Sequence, residues 1–137
     1  MRKTGWIILL SVCLLTGCGS QSGMSAEHEE TVPYQQISQD EAKRIMAEED
    51  NIIILDVRRQ DEYEAGHIPG AVCIPNESIG TDEIAELPDK DQIILVYCRS
   101  GRRSKEASEK LSEMGYRNIL EFGGILDWTG DIVTGET

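Results

Sequence analysis

Three arginines crowd a single cysteine in the segment Cys98-Arg99-Ser100-Gly101-Arg102-Arg103. The cysteine directly follows the apolar run Ile93-Ile94-Leu95-Val96-Tyr97. Ser104 to Met114 then reads as a helix, with Ala107, Leu111 and Met114 on its inner side. A cysteine between a strand and a helix lies beside unpaired backbone N–H groups and the positive end of the helix dipole. Guanidinium groups add to that field. Each effect favours thiolate over thiol, and thiolate is the nucleophile. Gly101 supplies the positive φ that a tight cradle needs. The competing reading is a buried structural cysteine followed by a solvated basic loop, and the strand–loop–helix placement with its arginines outweighs it.

The setting sharpens the contrast. The chain has 137 residues with 13 basic and 25 acidic side chains, net −12, so the loop reverses the prevailing sign and reads as an anion site. That acidity excludes a nucleic-acid binder, which needs clustered Lys and Arg against phosphate. The length accommodates one domain. Four cysteines without CxxC spacing exclude a structural zinc site and a dense disulfide framework.

The elements that must position Cys98 alternate between strand and helix. Tyr34 to Ile37 predicts a short strand. Ser38 with Glu41 three residues on forms a capping box, and Ala42, Ile45 and Met46 share a face of the helix that follows. Ile52 to Val57 predicts a strand buried on both faces, and Gln60 to Ala65 a short helix ended by Gly66. The turn His67-Ile68-Pro69-Gly70 leads to a strand at Ala71 to Ile74. Further expectations are a helix over Glu77 to Leu87, strands at Ile93 to Tyr97 and Asn118 to Phe122, a helical turn at Gly124 to Trp128, and a loose tail over 130–137. This alternation implies an α/β fold with a parallel sheet covered on both faces, whose ligands bind beyond the carboxyl ends of the strands.

The N-terminus has a different grammar. Arg2 and Lys3 precede a short apolar stretch from Trp6 to Leu15, and Leu15-Thr16-Gly17-Cys18 closes it. The segment resembles the signal peptide and lipobox of bacterial lipoproteins. That likeness implies removal of residues 1–17, lipidation of Cys18, and an extracytoplasmic protein attached to a bacterial membrane by lipid alone. Residues 18–33 are small, polar and acidic, and read as a flexible tether in which His28 is solvated.

Within residues 34–129 three motifs stand in order. Leu55-Asp56-Val57-Arg58, Glu62-Tyr63 and Gly66-His67-Ile68-Pro69-Gly70-Ala71 form the first, Val96 to Ser104 the second, and Phe122-Gly123-Gly124-Ile125-Leu126-Asp127-Trp128 the third. Together they resemble the rhodanese-like domains. The resemblance implies a central, mainly parallel five-stranded sheet with helices on both faces, and a sulfurtransferase that works by two-step covalent catalysis. On it, Cys98 takes sulfur from a small anionic donor such as thiosulfate and carries it as a persulfide. The sulfur then passes to cyanide or to a thiol acceptor, a protein acceptor included. The backbone of Arg99, Ser100, Gly101, Arg102 and Arg103 would hold the sulfur, Arg102 and Arg103 would neutralise the donor, and Arg58 would bind donor or serve structure. No metal or organic cofactor is implied. Phosphatase relatives have a longer loop with an arginine six residues after the cysteine. Here position 104 is Ser104, which disfavours that chemistry, and Arg102 stands where the family commonly has Asn.

Two other functions compete. One is a non-catalytic sulfur-carrier or sensor module. The other is a thiol–disulfide oxidoreductase that pairs Cys98 with Cys73, against which stands Cys73 as a small buried strand residue. Asp56 reads as a strand-end residue that orients loops. His67 reads as a turn-stabilising hydrogen bonder, Trp128 with Ile125 as core, and Arg59 with Asp61 and Glu62 as a solvated helix start.

Overall fold

The β-branched and leucine runs of the sequence become the middle of a parallel sheet. In the computed structural model, which describes residues 31–136, the elements run β1 (Gln35–Gln36), α1 (Gln39–Glu48), β2 (Ile52–Asp56), α2 (Gln60–Ala65), β3 (Val72–Cys73), β4 (Ile93–Cys98), α3 (Arg102–Glu113) and β5 (Asn118–Gly124). The expected leader, Cys18 and the tether up to residue 30 lie outside the described residues. Strand order is β1-β5-β4-β2-β3, and every pairing is parallel. Among the described residues no helix is long and apolar enough to cross a membrane.

Alternation along β4 divides the core between the two faces. Ile94, Val96 and Cys98 point to one face, where Leu55, Ala107, Leu111, Tyr116 and Ile119 pack. Leu95 and Tyr97 point to the other, with Ala42, Tyr63, Ile68 and Phe122. Helix α3 therefore covers the Cys98 face, while α1 and α2 cover the opposite one. Ser38 caps α1 as expected, its Oγ accepting the Glu41 N–H at 3.1 Å. The Glu41 carboxylate turns instead to Arg44.

Four expectations need correction. The helix expected over Glu77 to Leu87 is only a 3₁₀ turn at Asn76–Ser78 followed by irregular chain. Gly80 and Pro88 interrupt the segment, and Ile79 and Leu87 reach the core separately, without sharing a helical face. The tail is not loose. His67 and Val133 exchange backbone hydrogen bonds at 2.9 Å in each direction, and the Gly135 N–H reaches the Glu64 carbonyl at 2.9 Å. Helix α3 starts at Arg102 rather than Ser104, and Cys98 ends β4 rather than following it.

Candidate active site

Cys98 sits where β4 gives way to α3. Gly101 is the N-cap of that helix with φ +107°, so the chain turns under the sulfur, and its N–H donates to Cys98 Sγ at 3.0 Å. A residue with a Cβ resists that backbone region, which accounts for glycine here. The twelve-residue helix α3 carries no acidic side chain in its first turn, so nothing on it offsets the positive end of its dipole. The thiol is buried beneath the loop, 1% exposed.

The closing motif holds the loop from behind. The Leu126 N–H donates to the Arg99 carbonyl at 3.2 Å, and a 3₁₀ turn follows at Ile125–Asp127. A Cβ on Gly124 would stand 2.1 Å from that same carbonyl oxygen and 2.6 Å from the Ser100 nitrogen, so only glycine lets the loop lie down there. The motif read from sequence thus has a steric cause.

The loop arginines are not equivalent. Arg103 is partly buried and gives a two-pronged ion pair to Glu62 at 2.7 and 3.0 Å. Arg102 is exposed and pairs with Glu106 one turn along α3 at 2.7 Å. Arg99 is exposed and makes no salt bridge among the described residues. With Arg59, Glu62, Glu77 and Ser100, these three arginines line a cleft of about 340 Å³ over the loop. The donor's charge would therefore meet Arg99 free, but Arg103 already engaged.

Glu62 deserves its own test. It caps α2 by accepting the Arg59 N–H at 3.2 Å while clamping Arg103. Hydrogen bonding to Arg103 outweighs the effect of burial and holds its carboxyl at about 2, below the ordinary 4.5. A carboxyl depressed by folding contributes stability that is present above pH 4.5 and lost as the pH falls towards 2. Glu62→Gln is therefore expected to be less stable than the wild type at pH 7. The two should converge near pH 2 in urea melts taken across that window. Parallel curves at every pH would remove the ion pair from the account.

Of the two roles open to Arg58, donor binding or structure, its surroundings favour the structural one. Its guanidinium is buried on Asp56, with contacts from 2.7 to 3.1 Å, and donates to the Gly66 carbonyl at 2.7 Å. It lies over the Tyr97 ring, on the face opposite Cys98. Asp56 also accepts the Arg58 N–H at 2.9 Å, so it orients the loop after β2. His67 stacks on Tyr63 and its Nδ1 lies 2.8 Å from the Tyr63 carbonyl, a turn-stabilising contact on the same opposite face. Trp128 packs with Ile125 against that face.

Cys73 does not reach Cys98. Cys73 and Tyr97 both register with Asp56 from either side of β2, so the two cysteine-bearing strands are separated by a whole strand. Two strand spacings amount to about 10 Å, past the roughly 7 Å limit for a disulfide. The side chains also belong to opposite cores. Burial pushes the Cys73 thiol up to about 11. The oxidoreductase alternative loses its resolving cysteine. Among the described residues no three His, Cys, Asp or Glu side chains gather as a metal site.

Sequence reasoning missed Glu121. It is a buried acid inside a strand, 3% exposed, and its Oε1 accepts the Ser104 hydroxyl at 2.5 Å. An acid flanked by apolar residues in Asn118-Ile119-Leu120-Glu121-Phe122 was the available signal.

The rhodanese-like domain family matches residues 38–131. The chain belongs to that family. It is 40% identical over 73 residues to thiosulfate sulfurtransferase PspE of Escherichia coli, covering 53% of this chain and 70% of that protein. It is 36% identical over 96 residues to thiosulfate sulfurtransferase GlpE of Coxiella burnetii, covering 69% of this chain and 87% of that one. A solved structure described as a rhodanese with anions from E. coli superposes with a TM-score of 0.56 at 39% identity, over 61% of this rhodanese-like chain and 98% of its own. The five-stranded parallel sheet with helices on both faces is thus the family's fold.

Proposed function

We propose that this rhodanese-like protein is a sulfurtransferase that carries sulfur as a persulfide on Cys98. The observation that carries the reading is the Gly101 N–H on Cys98 Sγ at 3.0 Å, at the head of α3 and under an arginine-lined cleft. Backbone donors and a helix terminus favour negative charge on that sulfur and receive a second sulfur bound to it. The two named thiosulfate sulfurtransferases among its relatives support the donor class.

In the first step the Cys98 thiolate attacks the outer sulfur of thiosulfate. The sulfur–sulfur bond of the donor breaks, its electron pair leaves on sulfite, and a persulfide anion remains on Cys98. In the second step cyanide or a thiolate attacks the outer sulfur, and the pair returns to Cys98. Arg99 meets the incoming anion, while the Ser100 and Gly101 backbone and Arg102 line its approach. The reaction is balanced without cofactor or metal.

The test is the intact mass of the reduced protein before and after thiosulfate, with peptide mapping. Gain of one sulfur at Cys98, discharged by cyanide with thiocyanate released, is the expected result. No gain with a range of sulfane donors overturns the reading. A gain that persists in cyanide and thiols would favour the sulfur-carrier alternative.

The leader reading extends the proposal. Lipid on Cys18 would hold the domain at the outer side of a bacterial membrane, with residues 19–33 as the spacer. Expression in a bacterium fed labelled palmitate should yield a labelled membrane-fraction protein, and Cys18→Ser should lose the label. No label in the wild type, or label that persists in Cys18→Ser, would sink the anchor.

A further inference from the structure

Glu121 is a buried acid that the two-step scheme leaves idle. It lies on β5 with its side chain on the Cys98 face, and its Oε1 accepts both the Ser104 hydroxyl at 2.5 Å and the Gly123 N–H at 2.9 Å. Ser104 is fully buried, and its Oγ lies 3.5 Å from Cys98 Sγ. Two carbonyls also stand near that hydroxyl, Gly101 at 2.9 Å and Gly123 at 3.3 Å. A serine has one proton to donate, and the charged carboxylate at the shortest distance is the strongest acceptor. With the proton there, a lone pair of Ser104 Oγ faces the Cys98 S–H. The three side chains form one unbroken hydrogen-bonded line. A thiolate and a carboxylate both ionised in one buried pocket would repel each other, so the line holds a single negative charge.

We propose that Glu121 is the internal proton acceptor for Cys98, reached through Ser104. The Cys98 S–H bond breaks and its proton passes to Ser104 Oγ, while the Ser104 hydroxyl proton passes to Glu121 Oε1. The products are a Cys98 thiolate that accepts a hydrogen bond from Ser104, and a neutral Glu121 carboxylic acid. No proton leaves for solvent and nothing is oxidised or reduced. Negative charge moves from Glu121 to the sulfur, where the Gly101 N–H and the head of α3 receive it. Of the surrounding charges, Arg103 bears on Cys98 from α3 and is itself clamped by Glu62 of α2. The inference rests on the reading of Cys98 as the nucleophile and deepens it.

The experiment follows the rate of iodoacetamide alkylation at Cys98 of the full chain from pH 5 to 9, resolved from Cys73 by peptide mapping. Glu121→Gln keeps an oxygen for Ser104 and Gly123 but accepts no proton. A neutral-pH rate lowered by roughly ten-fold or more is expected, recovering as the pH rises. Glu121→Asp should restore part of it, and Ser104→Ala should resemble Glu121→Gln. If Glu121 is only a like charge near the sulfur, removing it eases thiolate formation, and a Glu121→Gln rate equal to or above the wild type overturns the proposal. Infrared spectra give a second reading that needs no variant of Glu121. A protonated-carboxyl band should be present in the wild type at neutral pH and lost in Cys98→Ala; no such band in the wild type also overturns it. Thiosulfate loading is scored separately. Failure of loading with the alkylation pattern intact would sink sulfur transfer and leave the proton path standing.

Discussion

Cys98→Ser is expected to lose sulfur loading altogether, with the fold unchanged. The serine Oγ can accept the Gly101 N–H as the sulfur does, and the site is buried, so the cradle keeps its central hydrogen bond. What disappears is the nucleophile: a serine hydroxyl ionises far less readily than a thiol, is a poor nucleophile towards sulfur, and cannot store sulfur as a persulfide. Thiocyanate formation should fall to the uncatalysed background. Cys73→Ser should load like the wild type, because Cys73 lies on the other face of the sheet and its thiol is held up at about 11. Mass spectrometry after thiosulfate decides the matter. A Cys98→Ser protein that still gains sulfur, or a Cys73→Ser protein that does not, would move the chemistry away from the loop.

Arg58→Ala should be among the most destabilising single changes in the domain. Asp56 is fully buried, and Arg58 is 5% exposed. Removing the guanidinium strands the carboxylate without its countercharge and leaves the Gly66 carbonyl without its donor. Breaking a buried pair from one side costs about 3–5 kcal/mol, against a whole-domain stability of about 5–15 kcal/mol. Urea unfolding should show the unfolding free energy falling by that amount, read as a lower midpoint at an unchanged slope. Asp56→Asn combined with Arg58→Met should be far less damaging, because no charge is left buried alone. A loss in Arg58→Ala within ~1 kcal/mol would mean that solvent reaches the pair, and the structural assignment of Arg58 would fail. Catalysis per folded molecule should change little, since the pair lies behind Tyr97 and not beside Cys98.

The legible parts of this molecule were those in which local pattern and tertiary demand agree. The run Ile93 to Tyr97 is apolar because both faces of β4 are covered, and Gln60 to Ala65 matches α2 residue for residue. The loop was legible because its arginines contrast with an acidic chain. What escaped is instructive. The partners of the arginines come from other elements: Glu62 from α2 meets Arg103 across 41 positions in sequence. No spacing rule announces such a contact. The family resemblance left Arg58 open between donor binding and structure, and burial on Asp56 makes it a strut. The segment after Asn76 carries enough helix formers to suggest a helix, yet Gly80 breaks it, and the core takes Ile79 and Leu87 with Ile84 half-buried against them. The tail past Asp131 is short, with Ile132-Val133 its one apolar pair, and its anchoring on His67 runs through backbone pairing that so brief a signal does not announce.

Sheet order carries a final consequence, for the moment at which the domain can form. β5 is the last strand to be synthesised, and it stands between β1 and β4. Until Asn118–Gly124 is available, β1 has no partner, one flank of β4 is open, and the Arg99 carbonyl lacks the Leu126 N–H. Folding must wait for contacts that join the two ends of the domain, the kind of topology that slows folding. A chain threaded through a membrane pore from its N-terminus would therefore complete this sheet only once Asn118–Gly124 had cleared the exit.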